Sequence, residues 1–237
     1  MKALILNSGI GKRMGELTKT TNKCMAQIAE GQSILDLQLQ KIEKAGIKEV
    51  VITTGPFADQ LAEYVTSNYP NLTFTFVHNP IYDQTNYIYS IALAKEELHD
   101  DIILMHGDLV FQYDVFQEML QYEGNAMVVD STLPLPEKDF KAVVLDGKIR
   151  KVGIEFFDHA YAAQPLYKWN QKDWEIWLNK IVAFCEAGTT NCYAENAMNE
   201  VSDEFKLDYY DVKGRVCTEV DNLTDLANVQ KLYDKIK

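Results

Sequence analysis

The chain has 237 residues, 47% of them hydrophobic and 24% charged, which excludes a disordered, collagenous or small disulfide-stapled protein. Thirty-five acidic against 23 basic side chains leave a formal net charge of −12, so the surface is not built for nucleic acid or an anionic membrane, and any bound anion must be held locally. No apolar run reaches the roughly 18 residues of a membrane span and no leader precedes the first apolar segment, so one domain in the cytoplasm is expected.

In chain order, Lys2–Leu6 reads as a buried strand, and Ser33 as the cap of a helix whose face carries Leu35, Leu39, Ile42 and Ala45 before Gly46 ends it. Glu49–Thr53 is a second strand, Ala58–Thr66 a helix, and Leu72–His78 an alternating, half-buried strand. A helix from Asn86 to Leu98 leads to the apolar run Ile102–Met105, a helix over Asp114–Tyr122 and the strand Ala126–Val129. Alternating strands and helices predict an α/β fold with a mostly parallel sheet flanked by helices.

After Val129 the rhythm changes. Ala142–Leu145 and Ile149–Val152 flank Asp146-Gly147 and predict an antiparallel hairpin on a tight turn. Aromatics crowd positions 156–177; helices are expected over Gln171–Ala187 and Tyr193–Val201, strands over Lys206–Tyr210 and Val216–Val220, and a terminal helix over Leu223–Ile236.

Cys24, Cys185, Cys192 and Cys217 show neither CxxC nor ligand-pair spacing, so free buried thiols are expected. His78, His99, His106 and His159 are scattered without HxxxH or HExxH, which removes zinc-hydrolase chemistry and leaves structural roles.

The first strand runs into Asn7-Ser8-Gly9-Ile10-Gly11-Lys12-Arg13-Met14-Gly15, a glycine-rich loop with two adjacent cations. Glycines let backbone N–H groups approach a phosphate, and cations neutralise it. A P-loop is excluded because Arg13 stands where Ser or Thr must follow the lysine, and a dinucleotide fingerprint because Gly15 comes one residue late. With Lys19 and Lys23, these cations concentrate positive charge in an acidic chain; a solvated turn is the alternative. Asp108 follows His106 and Gly107 at the carboxyl end of an expected buried strand, where open α/β sheets bind ligands. Glu219 and Asp221, two apart in a strand, point to one face. Converging carboxylates beside a phosphate loop suit Mg²⁺, although each alone could be a cap or a solvated charge. Asn86 and Ser90, four apart behind Thr85 as the expected cap, share a helix face and could hydrogen-bond a ribose or phosphate, or serve in capping.

These segments together resemble the nucleotidyltransferases that make nucleotide-diphospho compounds, above all the bacterial phosphocholine cytidylyltransferase branch, over most of the chain. KALILNSGIGKRMGELTKTTNKCM resembles the opening strand and glycine loop of that family, NPIYDQTNYIYSIALA its N-x-x-Y-x-x-[TN]-N-x-x-S-L stretch, HGDLVF its D-x-D strand end, and CTEVDNLTDL its Y-E-[IV]-D element. Asn22 stands where the family has Pro, Asn7-Ser8 where it has Ala-Ala, and His106 where it has the first Asp of D-x-D.

The resemblance implies a Rossmann-like, GT-A-like single domain over 1–237, with a nucleotide-binding part (1–130), a small antiparallel acceptor side (131–215) and a metal strand with terminal helix (216–237). It implies Mg²⁺-dependent transfer of CMP from CTP to a small phospho- or phosphono-compound, with release of pyrophosphate, no role for nucleic acid or membrane, and a homodimer as a possible assembly. Lys23 and Arg13 would serve the reacting phosphates; Asn7, Ser8, Gly9, Gly11, Lys12, Asn86, Ser90 and Gly107 the nucleotide; Asp108, Glu219 and Asp221 the metal; and Glu195 with Tyr193 the acceptor. A sugar-1-phosphate nucleotidyltransferase using another nucleotide, and a nucleotide-sensing regulatory domain, are the alternatives.

Overall fold

The computed structural model describes residues 1–237. Strand β1 (Lys2–Asn7) leads through two 3-10 segments (Lys12–Lys19 and Lys23–Met25) to the minute hairpin β2 (Gln27–Ala29) and β3 (Gln32–Ser33), then α1 (Ile34–Lys44). There follow β4 (Glu49–Thr54), α2 (Ala58–Asn68), β5 (Thr73–His78), α3 (Tyr87–Leu93), β6 (Ile102–His106), β7 (Leu109–Phe111), α4 (Tyr113–Gln121) and β8 (Asn125–Asp130). The second half adds β9 (Lys141–Leu145), β10 (Lys148–Gly153), β11 (Ala160–Trp169), α5 (Gln171–Glu186), α6 (Ala194–Glu200), β12 (Leu207–Asp211), β13 (Cys217–Glu219), α7 (Leu223–Gln230) and α8 (Tyr233–Ile236).

The main sheet has nine strands in the order β10-β9-β11-β6-β1-β4-β5, with β8 on β11 and β12 on β8. Strand β1 is parallel to both β4 and β6, and β4 to β5, so their carboxyl ends share one edge. Both faces are covered. Leu4 and Leu104 pack with Trp169, Trp174 and Trp177 on one side, while Ala3 and Ile5 meet Leu35, Leu39 and Ile42 of α1 on the other. Burying each such large apolar side chain contributes roughly 1.5–3 kcal/mol.

Local signals explain most elements. Ser33 and Asp36 form a reciprocal capping box that starts α1, and Asp36 also accepts bonds from the Tyr64 and Tyr69 hydroxyls, tying α2 and the turn after it to α1. The hairpin turn has both Asp146 and Gly147 at positive φ (51° and 71°), as a two-residue turn of this hand requires.

The structure departs from expectation in identifiable places. The helix over 86–98 divides into α3 and a 3-10 turn at Lys95–Glu97, and the terminal helix divides into α7 and α8. Asn86, not Thr85, caps α3; the Thr85 hydroxyl donates to the Ile81 carbonyl. The ten-residue β11 carries no clear strand signal in the sequence, because Pro165 interrupts it. A register shift against β8 between Gln164 and Tyr167 accommodates that residue, which has no N–H to give. Cys185 and Cys192 are only half-buried, although all four cysteines are free.

Candidate nucleotide and metal site

The shared edge of β1, β5 and β6 opens into a cavity of about 690 Å³. One wall is the loop after β1. Gly11 adopts φ 68°, and a Cβ there would stand 3.0 Å from Thr18 Cγ2 and 3.1 Å from Lys23 Cβ, so its lack of a side chain lets the loop fold tightly over Lys23. Asn7, Ser8, Gly9, Lys12 and Arg13 also line the cavity. The opposite wall comes from β6 and from the small antiparallel pair β7–β13, in which Glu219 faces Leu109 and the Val220 N–H donates to the Asp108 carbonyl at 3.0 Å. That pairing carries residues 219–221 across more than a hundred positions of sequence to Asp108.

At the centre stands Lys23. Its ammonium donates to Asp108 Oδ2 and, at 2.7 Å, to Asp221 Oδ1; Arg13 Nη2 donates to that same Asp221 oxygen at 2.8 Å. Burial works against charge on Asp108, but Lys23 and His106 outweigh it and hold its pKa below the usual carboxylate value. Lys23 is likewise disfavoured as a cation by burial, yet Asp108 and Asp221 raise its pKa above the ordinary value.

Beside this group His106 Nδ1 lies 2.9 Å from Glu219 Oε1, and the Tyr87 ring meets the imidazole edge-on at 4.9 Å between centroids. Burial lowers the imidazole pKa, but the Glu219 bond and charge reverse the balance and raise it. Glu219 is pushed up by its own burial and by Asp108, against the pull of His106. His106, Asp108 and Glu219 each offer one ligand atom within 4.8 Å of the others. With Nδ1 turned to Glu219, that imidazole engages the glutamate, leaving the carboxylates of Asp108 and Asp221 as the pair that shares one cation. Two hard oxygen donors around a single positive charge fit Mg²⁺.

The remaining expected residues divide. Asn86, Ser90 and Tyr193 line the cavity. Gly107 does not; a Cβ there would stand 2.7 Å from Asn7 Oδ1 and 3.1 Å from the Leu6 carbonyl, so it lets β6 approach β1. Glu195 is 1% exposed and sits behind the wall, accepting from the Tyr167 hydroxyl at 2.8 Å and from the Tyr87 hydroxyl. Both tyrosines are driven well above their ordinary pKa by burial and then by that carboxylate, so they stay protonated donors.

Several cavity residues carry no clear functional signal in the sequence. His106 looked structural, yet it lines the cavity with Nε2 buried and without a partner in the protein; Asn7 Nδ2 is in the same condition. Such groups carry a desolvation cost that a ligand can relieve. Asn79, Tyr82 and Thr85 line the neutral end, Tyr87 lines the wall beside Tyr193 with 6.1 Å between ring centroids, and the loop Glu137–Phe140 closes the far side. The position of Asn79 directly after a strand was the available signal; the loop gave none.

A phosphate-type glycine loop and converging aspartates at the carboxyl edge of this sheet define a domain of the nucleotidyltransferase class. The chain belongs to the family of MobA-like NTP transferase domains, whose pattern matches residues 3–136. It is similar to CMP-5'-(3-aminopropyl)phosphonate synthase of Streptomyces rubellomurinus, 32% identical over 135 residues, 57% of this chain and 21% of that protein. It is also similar to CTP:phosphoglutamine cytidylyltransferase of Campylobacter jejuni, 32% identical over 139 residues, 56% of this chain and 53% of that protein. The chain thus aligns with about half or less of the length of these two relatives. In fold it matches the CTP:phosphocholine cytidylyltransferase of Streptococcus pneumoniae with a TM-score of 0.78 at 20% identity, covering 98% of both chains. No helix is long and apolar enough to cross a membrane.

Proposed function

We propose that the protein is a divalent-metal-dependent cytidylyltransferase that moves CMP from CTP to a small phospho- or phosphono-compound and releases pyrophosphate. The observation that carries this reading is Lys23 held between Asp108 and Asp221, directly beneath the Gly9–Arg13 loop. Charge sorts the substrate along the cavity. The triphosphate belongs against the glycine-loop amides, Lys12, Arg13 and Lys23; the uncharged base and ribose belong against Ser8, Asn79, Thr85 and Asn86, with Ser90 supporting Ser8 from behind.

Asp108 and Asp221 would hold Mg²⁺, with Glu219 fixing His106 beside them, and the bound ion would supply neutralising charge to the crowded phosphates. Lys23 and Arg13 meet the remaining charge as the bond from the α-phosphorus to the bridging oxygen breaks and an acceptor oxygen bonds in its place. A phosphate monoester with its second pKa near 6 is already largely dianionic at pH 7, so neither a protein nucleophile nor a general base is required. What the chain must provide is in-line placement and positive charge.

The acceptor belongs at the side closed by Glu137–Phe140, Ile154 and Tyr193. Phe140 and Tyr193 meet edge-on at 5.0 Å, an aromatic corner suited to an organic cation, and the acids Glu137 and Asp139 stand beside it. The acceptors in the relatives' names, a phosphorylated amino acid amide and an aminoalkyl phosphonate, support an amine-bearing compound. Glu195, behind Tyr87 and Tyr167, is a positioning residue for this wall. A pyrophosphate-release assay with each nucleoside triphosphate, Mg²⁺ and a panel of phospho- and phosphono-acceptors tests the reading. Release with CTP that depends on acceptor and metal is expected, whereas release only with sugar 1-phosphates, or with none, rejects it.

A further inference from the structure

Three hydroxyls whose protons can be counted stand in a row at the neutral end of the cavity, Ser8 and Ser90 bordering it and Thr53 behind them. Ser8 Oγ lies 3.0 Å from Thr53 Oγ1 and 2.7 Å from Ser90 Oγ. Thr53 Oγ1 also accepts the Asn7 backbone N–H at 3.1 Å, and Ser90 Oγ accepts from Asn79 Nδ2 at 3.0 Å. The Asn79 amide cannot turn over without loss, because Nδ2 also donates to Thr85 Oγ1 at 3.0 Å while Oδ1 accepts the Ile81 N–H at 3.1 Å.

In a contact between hydroxyls either partner can donate, and each owns one proton. Three protons serve two contacts, so one is left over. Thr53 and Ser90 are 0% exposed and neither donates to another group of the protein; Ser90 borders the cavity but presents no surface to it, so leaving the spare proton on either strands a buried donor. Ser8, 6% exposed, lines the cavity and is where the spare proton can be used. The arrangement without a stranded group has Thr53 and Ser90 both donating to Ser8. Both lone pairs of Ser8 are then filled and its own O–H points to the ligand. Ser8 is thereby able to donate and unable to accept.

Resting on the nucleotide reading above, we propose that Ser8 is a specificity-determining residue that selects the base by presenting this one-way donor, with Thr53 and Asn79 as the positioning residues that fix its direction. We place ring N3 of the base against Ser8. There such a donor matches cytosine, whose N3 accepts, and opposes uracil, whose N3 carries a hydrogen. To receive that hydrogen Ser8 would have to turn its proton inward and strand another in the wall. A base seated with its C4 substituent at Ser8 would reverse the preference, because uracil O4 accepts and the cytosine amino group donates.

The test is kcat/KM for CTP and UTP, measured in competition on the full-length protein and four variants, with CTP and UTP affinity of each variant measured by calorimetry. The wild type is expected to favour CTP at least about tenfold. Ser8→Ala should lower kcat/KM for CTP about tenfold and leave UTP within about twofold. Thr53→Val keeps the shape but frees a lone pair on Ser8, so the CTP-to-UTP ratio should fall at least about threefold; Thr53→Ser restores the hydroxyl and should keep the wild-type ratio. Asn79→Leu should narrow the ratio as well. Equal losses for CTP and UTP in Ser8→Ala, or a Thr53→Ser ratio as altered as that of Thr53→Val, overturn the proposal while transfer from CTP persists. A wild type that binds and turns over no nucleotide overturns the nucleotide reading itself, and this proposal with it.

Discussion

Replacing Lys23 with methionine removes one positive charge from between two carboxylates and keeps most of the stem. The Coulomb attraction of one ion pair at 2.7 Å is about 6 kcal/mol at an effective dielectric constant near 20, before desolvation is subtracted. Desolvation is substantial here, since the Lys23, Asp108 and Asp221 side chains are only 13%, 19% and 17% exposed. Breaking such a pair by deleting one partner costs about 3–5 kcal/mol, because the other charge stays buried and uncompensated. Arg13 remains on Asp221, so the low end applies: about 3 kcal/mol, or roughly a 6–12 °C fall in the unfolding temperature of a protein this size. The deficit should be specific to metal-free protein. A divalent ion at about a hundredfold its Kd returns about 2.7 kcal/mol, and in Lys23→Met it no longer competes with an ammonium for the two oxygens. Thermal unfolding of both proteins in chelator and in excess Mg²⁺ measures this. The gap should open in chelator and nearly close in Mg²⁺. An unfolding temperature unchanged by the substitution in chelator, or raised equally by Mg²⁺ in both proteins, refutes the shared-cation account of this site.

Asp108→Asn and Asp221→Asn should each reduce turnover at least about 10²-fold with the unfolding temperature kept within a few degrees, as steady-state kinetics and a thermal scan will report; full activity of either removes it from the metal site. Glu195→Gln retains the shape beneath Tyr87 and Tyr167 but removes the charge, so the KM for an amine-bearing acceptor should rise while that for CTP stays within about twofold; equal changes would reduce Glu195 to a structural part. Lys41, 5% exposed and donating to the Leu37 and Ile236 carbonyls, has its pKa pushed down to about 8 by burial and then by Lys44, against about 10.4 in the unfolded chain. Between those values the unfolded chain holds the proton and the folded one does not, so stability should rise with pH through that window; below it the group costs a constant amount of about 3 kcal/mol. Urea unfolding of Lys41→Met from pH 7 to 10 should lack that rise and show a gain at pH 7, whereas a loss at pH 7 would mean that the two carbonyl bonds outweigh the burial of charge.

Period and punctuation disclosed much of this fold because the first half obeys local rules. The run at 2–6, the Ser33 cap with Asp36 three residues on, and the Asp146-Gly147 turn each state their structure within a few residues. Strand β11 did not, since a proline and a dense set of aromatics mask its alternation, and its pairing with β6, β8 and β9 is settled by distant partners. The site divides the same way. Gly9–Arg13, Asp108 and the Glu219–Asp221 pair were readable from type and spacing, and the cavity gathers them. The withdrawal of Glu195 behind two tyrosines and of Gly107 from the cavity wall depends on packing that spacing does not encode. His106 was legible only as a departure from a familiar motif, and its bond to Glu219 appears once β13 is laid beside β7.

The central claim, that this site joins a cytidylyl group to a phosphorylated or phosphonate acceptor, is tested most directly by following the α-phosphate. CTP labelled there is incubated with the protein, Mg²⁺ and an amine-bearing phospho-acceptor, and the products are separated and identified by mass. The account predicts that the label passes into a cytidylyl–acceptor conjugate, with one unlabelled pyrophosphate formed for each conjugate and nothing formed in chelator. Label recovered as free CMP whether or not acceptor is present, or retained in CTP under every condition, would contradict it.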